Sequence, residues 1–173
     1  MKLVKILVIS ISIFVVAFFS IGFLIQETKY TTEVKIEKPL NFVFSQFNDT
    51  SKLKHWIPEF KSIETIEEKP GKKGSRYKIT LENKGQEIFM AQKILDFVPN
   101  EKVKLFYNTG AGNMLKIDGY TFSSEGSTTK ISHKATCRSS GYIMACMFPI
   151  FKFKFKSQDQ AYLNNFKTFL EKK

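Results

Sequence analysis

Twenty consecutive residues from Ile6 to Ile25, ILVISISIFVVAFFSIGFLI, carry no charge. Coiled as a helix, such a run matches the hydrocarbon core of a bilayer, which is about 30 Å thick. Only Ser10, Ser12, Ser20 and Gly22 dilute it, and a helix returns serine hydroxyls to its own backbone. The run lacks the one-sided periodicity of a helix that packs on a soluble core. Residues 1–26 therefore read as a transmembrane anchor, and the remainder as a domain held at a membrane surface. A cleaved secretory signal would share the basic start supplied by Lys2 and Lys5. Such signals have shorter apolar stretches, about 7–15 residues, followed by small residues at the cleavage site. Here Phe18, Phe19, Ile21 and Phe23 crowd those places, so an uncleaved anchor is the better reading. Lys2 and Lys5 precede the helix, while Glu27 and Lys29 cancel after it. The positive-inside tendency then places the N-terminus in the cytoplasm and the domain on the outer side, periplasmic or extracellular.

Residues 27–173 suit one domain that can bury a core without staples. The chain has 27 Lys and Arg against 16 Asp and Glu, and only Lys2 and Lys5 precede residue 26. A basic domain tethered to a bilayer is drawn to anionic head groups, although a solvated surface explains the same charge. Nucleic acid is not expected, because the lysines are scattered and no binding motif accompanies them. Oligomeric state is not legible. Cys137 and Cys146 are the only cysteines, too few for a disulfide framework or a zinc site. On the outer side they could pair across a short loop, but Cys137 ends a strand-like run and Cys146 falls in a helical one, so two buried free thiols are the better reading.

After the anchor the pattern runs strand, two short helices, many strands, long helix. Tyr30–Glu37 alternates as a strand does. Pro39 opens a short apolar helix through Phe42, Val43, Phe44 and Phe47. Asn48-Asp49-Thr50 is formally a glycosylation triplet, but reads as the cap of a second short helix running to Trp56. Strand-like stretches follow at 62–68, 75–82, 86–98, 102–107, 114–123 and 128–137, separated by turn signals such as Asn83-Lys84-Gly85 and Thr109-Gly110-Ala111-Gly112-Asn113. Short loops between consecutive strands favour an antiparallel meander of about seven strands. Phe151-Lys152-Phe153-Lys154-Phe155 alternates locally. The longer stripe of Met144, Phe148, Phe151, Phe155, Tyr162, Phe166 and Phe169 is helical, interrupted by Pro149.

The chain resembles the SRPBCC (START-like) superfamily, within it the polyketide cyclase/dehydrase-like branch. The resemblance is carried by Ile36-Glu37-Lys38-Pro39, Val43-Phe44, Asn48-Asp49, Leu53, Trp56-Ile57-Pro58 and Gly74-Ser75-Arg76-Tyr77. It continues in Ile94-Leu95-Asp96-Phe97-Val98-Pro99-Asn100-Glu101-Lys102-Val103, then Phe166-Lys167 and Glu171. It implies an α+β helix-grip fold: a curved antiparallel sheet wrapped on a long C-terminal helix, with an apolar cavity between them. It implies little about chemistry, because relatives include carriers, cyclases and proteins of unknown role. The N-terminal anchor and the Met- and Phe-rich segment Tyr142–Phe155 depart from many relatives. That segment reads as core packing, a lid on the cavity or a surface against the bilayer.

Candidate site residues follow from facing. In Lys130–Arg138, His133 shares a face with Ile131, Ala135 and Cys137 and is expected to point towards the cavity. A titratable group in an apolar cavity is a candidate acid or base; a hydrogen-bonded core histidine explains the same position. Tyr107 follows Val103 and Leu105 on one face, and its hydroxyl is expected to reach the cavity. Trp56 reads as a cavity wall or as core packing. Phe151 and Phe155 complete the expected ligand-binding set. No paired carboxylates stand out on an inward face, and none is evident to orient His133. Nucleophile elbow, zinc-helix, Walker and dinucleotide signatures are absent, so no metal, cofactor or catalytic residue is assigned. The leading expectation is a membrane-anchored module that binds a hydrophobic small molecule, lipid or isoprenoid-like. The alternatives are an enzyme of cyclase or dehydratase type on an apolar substrate, using His133 and Tyr107, and an envelope interaction protein with a filled cavity.

Overall fold

The structure, a computed structural model, describes residues 1–110 and 113–172. Ala111 and Gly112 of the expected loop, and Lys173, lie outside the described residues. Helix α1 (Lys2–Leu24) precedes strand β1 (Thr28–Ile36), helix α2 (Leu40–Phe47) and a 3-10 helix at Thr50–His55. Strands β2 (Phe60–Glu67), β3 (Arg76–Asn83), β4 (Gln86–Val98), β5 (Lys102–Thr109), β6 (Met114–Glu125) and β7 (Thr128–Ser139) follow. Helices α3 (Tyr142–Ile150) and α4 (Lys152–Glu171) complete the chain.

The seven strands form one antiparallel sheet in the order β1-β7-β6-β5-β4-β3-β2. The meander expected from the short loops is present, closed by β1 beside β7 with Thr28 opposite Cys137 and Ile36 opposite Thr129. Strict alternation of buried and exposed residues along β1 shows one face turned to the core. Register shifts at Phe60/Ser62, Thr65/Glu67 and Ile94/Asp96 bend the sheet, since an extra residue on one strand increases local twist. The β3–β4 turn uses Lys84 and Gly85, both at positive φ, the backbone of a two-residue hairpin whose twist matches its strands.

The sheet wraps α4, whose buried residues Leu163, Phe166 and Leu170 meet Val43, Phe44 and Phe47 of α2 and Trp56. Asp49 caps the 3-10 helix, its carboxylate accepting from Ser51 N at 3.0 Å, as a cap should. This is the α+β helix-grip architecture, with an apolar helix added at the N-terminus. The break between the last two helices falls at Phe151 rather than at Pro149. Proline at the last turn removes one hydrogen bond, yet Phe151 N still reaches Met147 O and the helix runs one residue further, to Ile150.

Candidate functional site

Between the concave face of the sheet and α4 lies a cavity of about 260 Å³. Its walls are mostly aliphatic and aromatic. Ile79, Ile94 and Leu105 come from three adjacent strands, and Phe47, Trp56 and Tyr162 from the helices above them. The alternation of the strands puts these side chains inward, and the helical stripe of α4 covers them.

Trp56 and Tyr107, two of the residues expected to bind a ligand, line the cavity. Trp56 is only 5% exposed. Its ring packs on Phe47 at 5.6 Å and on Phe166 at 5.3 Å between centroids. Its indole N–H has no hydrogen-bond partner among the described residues. An unmet buried donor costs about 1–3 kcal/mol. Burial pushes the Tyr107 phenol well above its usual pKa; the hydroxyl accepts a long contact from Gln92 Nε2 at 3.5 Å.

His133, Phe151 and Phe155 fall outside the cavity lining. His133 does point inward, but it is fully buried behind the wall. Tyr120, directly opposite it on β6, stacks across its ring at 4.4 Å and takes the place at the cavity surface. Phe155 instead packs edge-on against Phe148, in a second apolar cluster with Tyr30, Ala135 and Cys137. Phe151 sits at the break between α3 and α4, under the Lys154 ammonium. The helical stripe runs past the end of the cavity, so sharing the stripe does not mean sharing the site.

The expectation of no inward paired carboxylates is overturned. Asp118 on β6 and Asp159 on α4 are both buried and both line the cavity, with Lys116 between them. Lys116 Nζ lies 3.0 Å from Asp118 Oδ2, and 2.9 and 2.8 Å from the two oxygens of Asp159. Tyr30 O–H donates to Asp159 Oδ2 at 2.7 Å. His133, expected to have no carboxylate, meets Asp118 Oδ1 through Nε2 at 2.8 Å, while Nδ1 meets Thr32 Oγ1 at 2.9 Å. A carboxylate only accepts, so Nε2 carries the proton. Both ring nitrogens are therefore engaged within the wall.

Burial alone would raise the Asp118 carboxyl, but Lys116 and His133 outweigh it and hold its pKa below the usual value. Burial alone would lower the Lys116 ammonium, yet Asp118 and Asp159 hold it well above the ordinary lysine value. Burial raises the Tyr120 phenol strongly. It also lifts the Cys137 thiol to about 11. Cys137 and Cys146 are free and buried.

The donor atoms of Asp118, His133 and Asp159 lie within 4.8 Å of one another, a grouping compatible with a metal ion. Lys116 already contacts both carboxylates. A divalent ion would have to displace that ammonium, so the cluster reads as an internally paired ion network.

Two local signals pointed to these residues. On β6, Met114, Lys116, Asp118, Tyr120 and Phe122 alternate onto the face that buries Phe122. The competing face carries Leu115 and Ile117, so hydrophobicity does not choose between them. On α4, Asp159 follows Phe155 by four residues and precedes Tyr162 by three. It is a carboxylate inside the apolar stripe.

No protein-family model matches the chain, and no curated protein matches it in sequence. Solved structures do match. Ara h 8.0201 aligns over 85% of this chain and 99% of its own, with a TM-score of 0.68 at 14% identity. A START superfamily protein from Mycobacterium smegmatis aligns over 83% and 97%, with a TM-score of 0.68 at 13% identity. A conserved protein from Geobacillus kaustophilus aligns over 83% and 95%, with a TM-score of 0.68 at 16% identity. At such identities the likeness is one of fold. The chain shares the helix-grip fold of these structures.

Proposed function

We propose that the chain is a membrane-anchored binding module that holds an apolar, lipid- or isoprenoid-like ligand with one polar end. Residues 1–26 serve as the anchor and residues 27–173 as the binding domain. The observation that carries this reading is the cavity: apolar walls, one paired ion cluster on a single side, and a buried Trp56 N–H without a partner among the described residues. A few placed polar groups in a mostly apolar pocket orient small molecules in general. At about 260 Å³ the space suits one short chain rather than a whole phospholipid. Helix α1 is long and apolar enough to cross a membrane, which supports the anchor.

The electrostatics favour binding over proton-transfer catalysis. A general acid or base works best with a pKa near the working pH. In the cavity wall, Asp118 moves down, while Lys116, Tyr107 and Tyr120 move up, all away from neutrality. His133 has no free ring nitrogen to offer a substrate.

Photolysis of the full chain in vesicles with a short diazirine-bearing fatty alcohol tests the proposal. Label is expected on Met90, Ile94 and Leu105, and is expected to fall sharply when Met90→Trp fills the cavity. Label confined to the exposed faces of α1 and α3, unchanged by that substitution, would overturn it. Trp56→Phe tests the unmet donor. Stability without probe should stay within about 1 kcal/mol of wild type, because the orphaned donor is removed along with the packing. Affinity for the alcohol should fall about three- to tenfold, one ordinary hydrogen bond of roughly 0.5–1.5 kcal/mol. Unchanged affinity would make Trp56 a packing residue only.

A further inference from the structure

Helix α3 does not stop at the end of α1; it lies against its side. Tyr142 O–H donates to Phe19 O at 2.5 Å, and the two rings stack with planes 4° apart. Gly22 is the buried residue of α1, and a Cβ there would strike Cys146 Sγ of α3. The missing side chain is what lets the helices approach, as small residues do between packed helices in bilayers. Tyr142 also lines an open groove together with Val15, Val16 and Phe23 of α1.

These contacts fix a depth. Phe19 lies six residues before the end of the uncharged run at Ile25, about 9 Å along a helix axis. We infer that α3 is embedded beside α1 in the leaflet that faces the domain, so that the domain is held on the bilayer by an inserted helix and not only by a tether. The inference rests on α1 spanning the membrane. If α1 spans, the Tyr142–Phe19 contact carries α3 below the head groups.

The chemistry of α3 fits that location. Its nine residues, YIMACMFPI, carry no charge. One face buries Cys146 and Phe148, while Ile143 is 61% and Ile150 47% exposed. Phe153, at the start of α4, is 65% exposed. Such a surface is unfavourable in water and favourable in acyl chains. Lys152, Lys154 and Lys156 follow immediately and are exposed, placed to reach anionic head groups as the chain leaves the apolar layer. Sheet register agrees. The start of β1, the end of β7 and the start of β6 share the end of the sheet next to α1 and α3. The β4–β5 turn at Glu101 lies at the opposite end.

Depth-dependent fluorescence quenching of the full chain tests this. The vesicles contain phosphatidylcholine and phosphatidylglycerol, with acyl chains brominated near the carbonyl or near the methyl end. Three exposed positions receive a reporter: Phe14→Trp in mid-α1, Ile143→Trp in α3 and Glu101→Trp at the far end. Each signal is read against the unmodified chain, which contributes Trp56 equally. Phe14→Trp is expected to be quenched most by deep bromines, Ile143→Trp severalfold more by shallow than by deep ones, and Glu101→Trp by neither. Quenching at Phe14→Trp without quenching at Ile143→Trp would overturn the insertion of α3 while leaving the anchor standing. No quenching at Phe14→Trp would overturn the anchor itself and the inference with it. Equal quenching at Glu101→Trp and Ile143→Trp would show a different seating of the domain and would also overturn it.

Discussion

Lys116→Met is expected to destabilise the domain by about 3–5 kcal/mol and to invert its response to acid, because it leaves buried charge uncompensated. The Lys116 side chain is 15% exposed and its partners Asp118 and Asp159 are 4% and 10% exposed, so solvent screens the cluster little. In the wild-type chain Asp118 sits below the usual carboxylate value. Its contribution is present above the unfolded carboxylate pKa of about 3.9 and is lost as pH falls through the folded value. Lys116 sits above the usual lysine value. Its contribution is complete below about pH 10.4 and is lost only as pH rises towards the folded value. Both leave stability nearly independent of pH from about 5 to 9. Without Lys116 the two carboxylates face each other, and like charges raise one folded pKa above its unfolded value. The sign then reverses, and the variant gains stability as pH falls from 7 to 5. Urea unfolding of the full chain in nanodiscs at both pH values measures this. Adding Asp159→Asn to Lys116→Met should recover part of the loss, since it removes one of the repelling charges. A Lys116→Met protein within about 1 kcal/mol of wild type, or one indifferent to pH, would show that the cluster is not an obligate ion network.

Phe166→Ala should cost about 3–5 kcal/mol, the usual range for emptying a buried aromatic site. Phe166 is fully buried and touches Phe47 at 5.7 Å and Trp56 at 5.3 Å between ring centroids. It therefore joins α4 to α2 and to the cavity wall. Asn164→Ala, two residues earlier on the exposed face of the same helix, is expected to change stability by no more than about 0.5 kcal/mol, as exposed positions usually do. The comparison is read by the same urea titration, and equal losses at both positions would contradict the assignment of the core face of α4.

Architecture was legible because each element advertises itself locally. Alternation in Tyr30–Glu37, the stripe ending at Phe166 and Phe169, and the turn residues at Lys84-Gly85 repeat over distances shorter than the element they build. The uncharged run did the same for α1. Trp56 and Tyr107 were placed at the cavity because one strand face or one helix end sufficed to aim them.

The ion cluster was not legible in this way. Tyr30, Lys116, Asp118, His133 and Asp159 come from β1, β6, β7 and α4, and only sheet register and the seating of α4 bring their atoms within hydrogen-bonding distance. Periodicity also misled at β6, where apolar Leu115 and Ile117 compete with the face that points inward. It misled again at His133, whose inward direction is correct but whose place at the cavity surface is taken by Tyr120. The sequence by itself determined which segments are apolar and with what period, and hence the elements and their order. The tertiary structure alone decided which apolar surfaces meet each other, which remain exposed, and which buried charges are paired. Those outcomes depend on distances between residues far apart in the chain, and on desolvation that acts only once they are brought together.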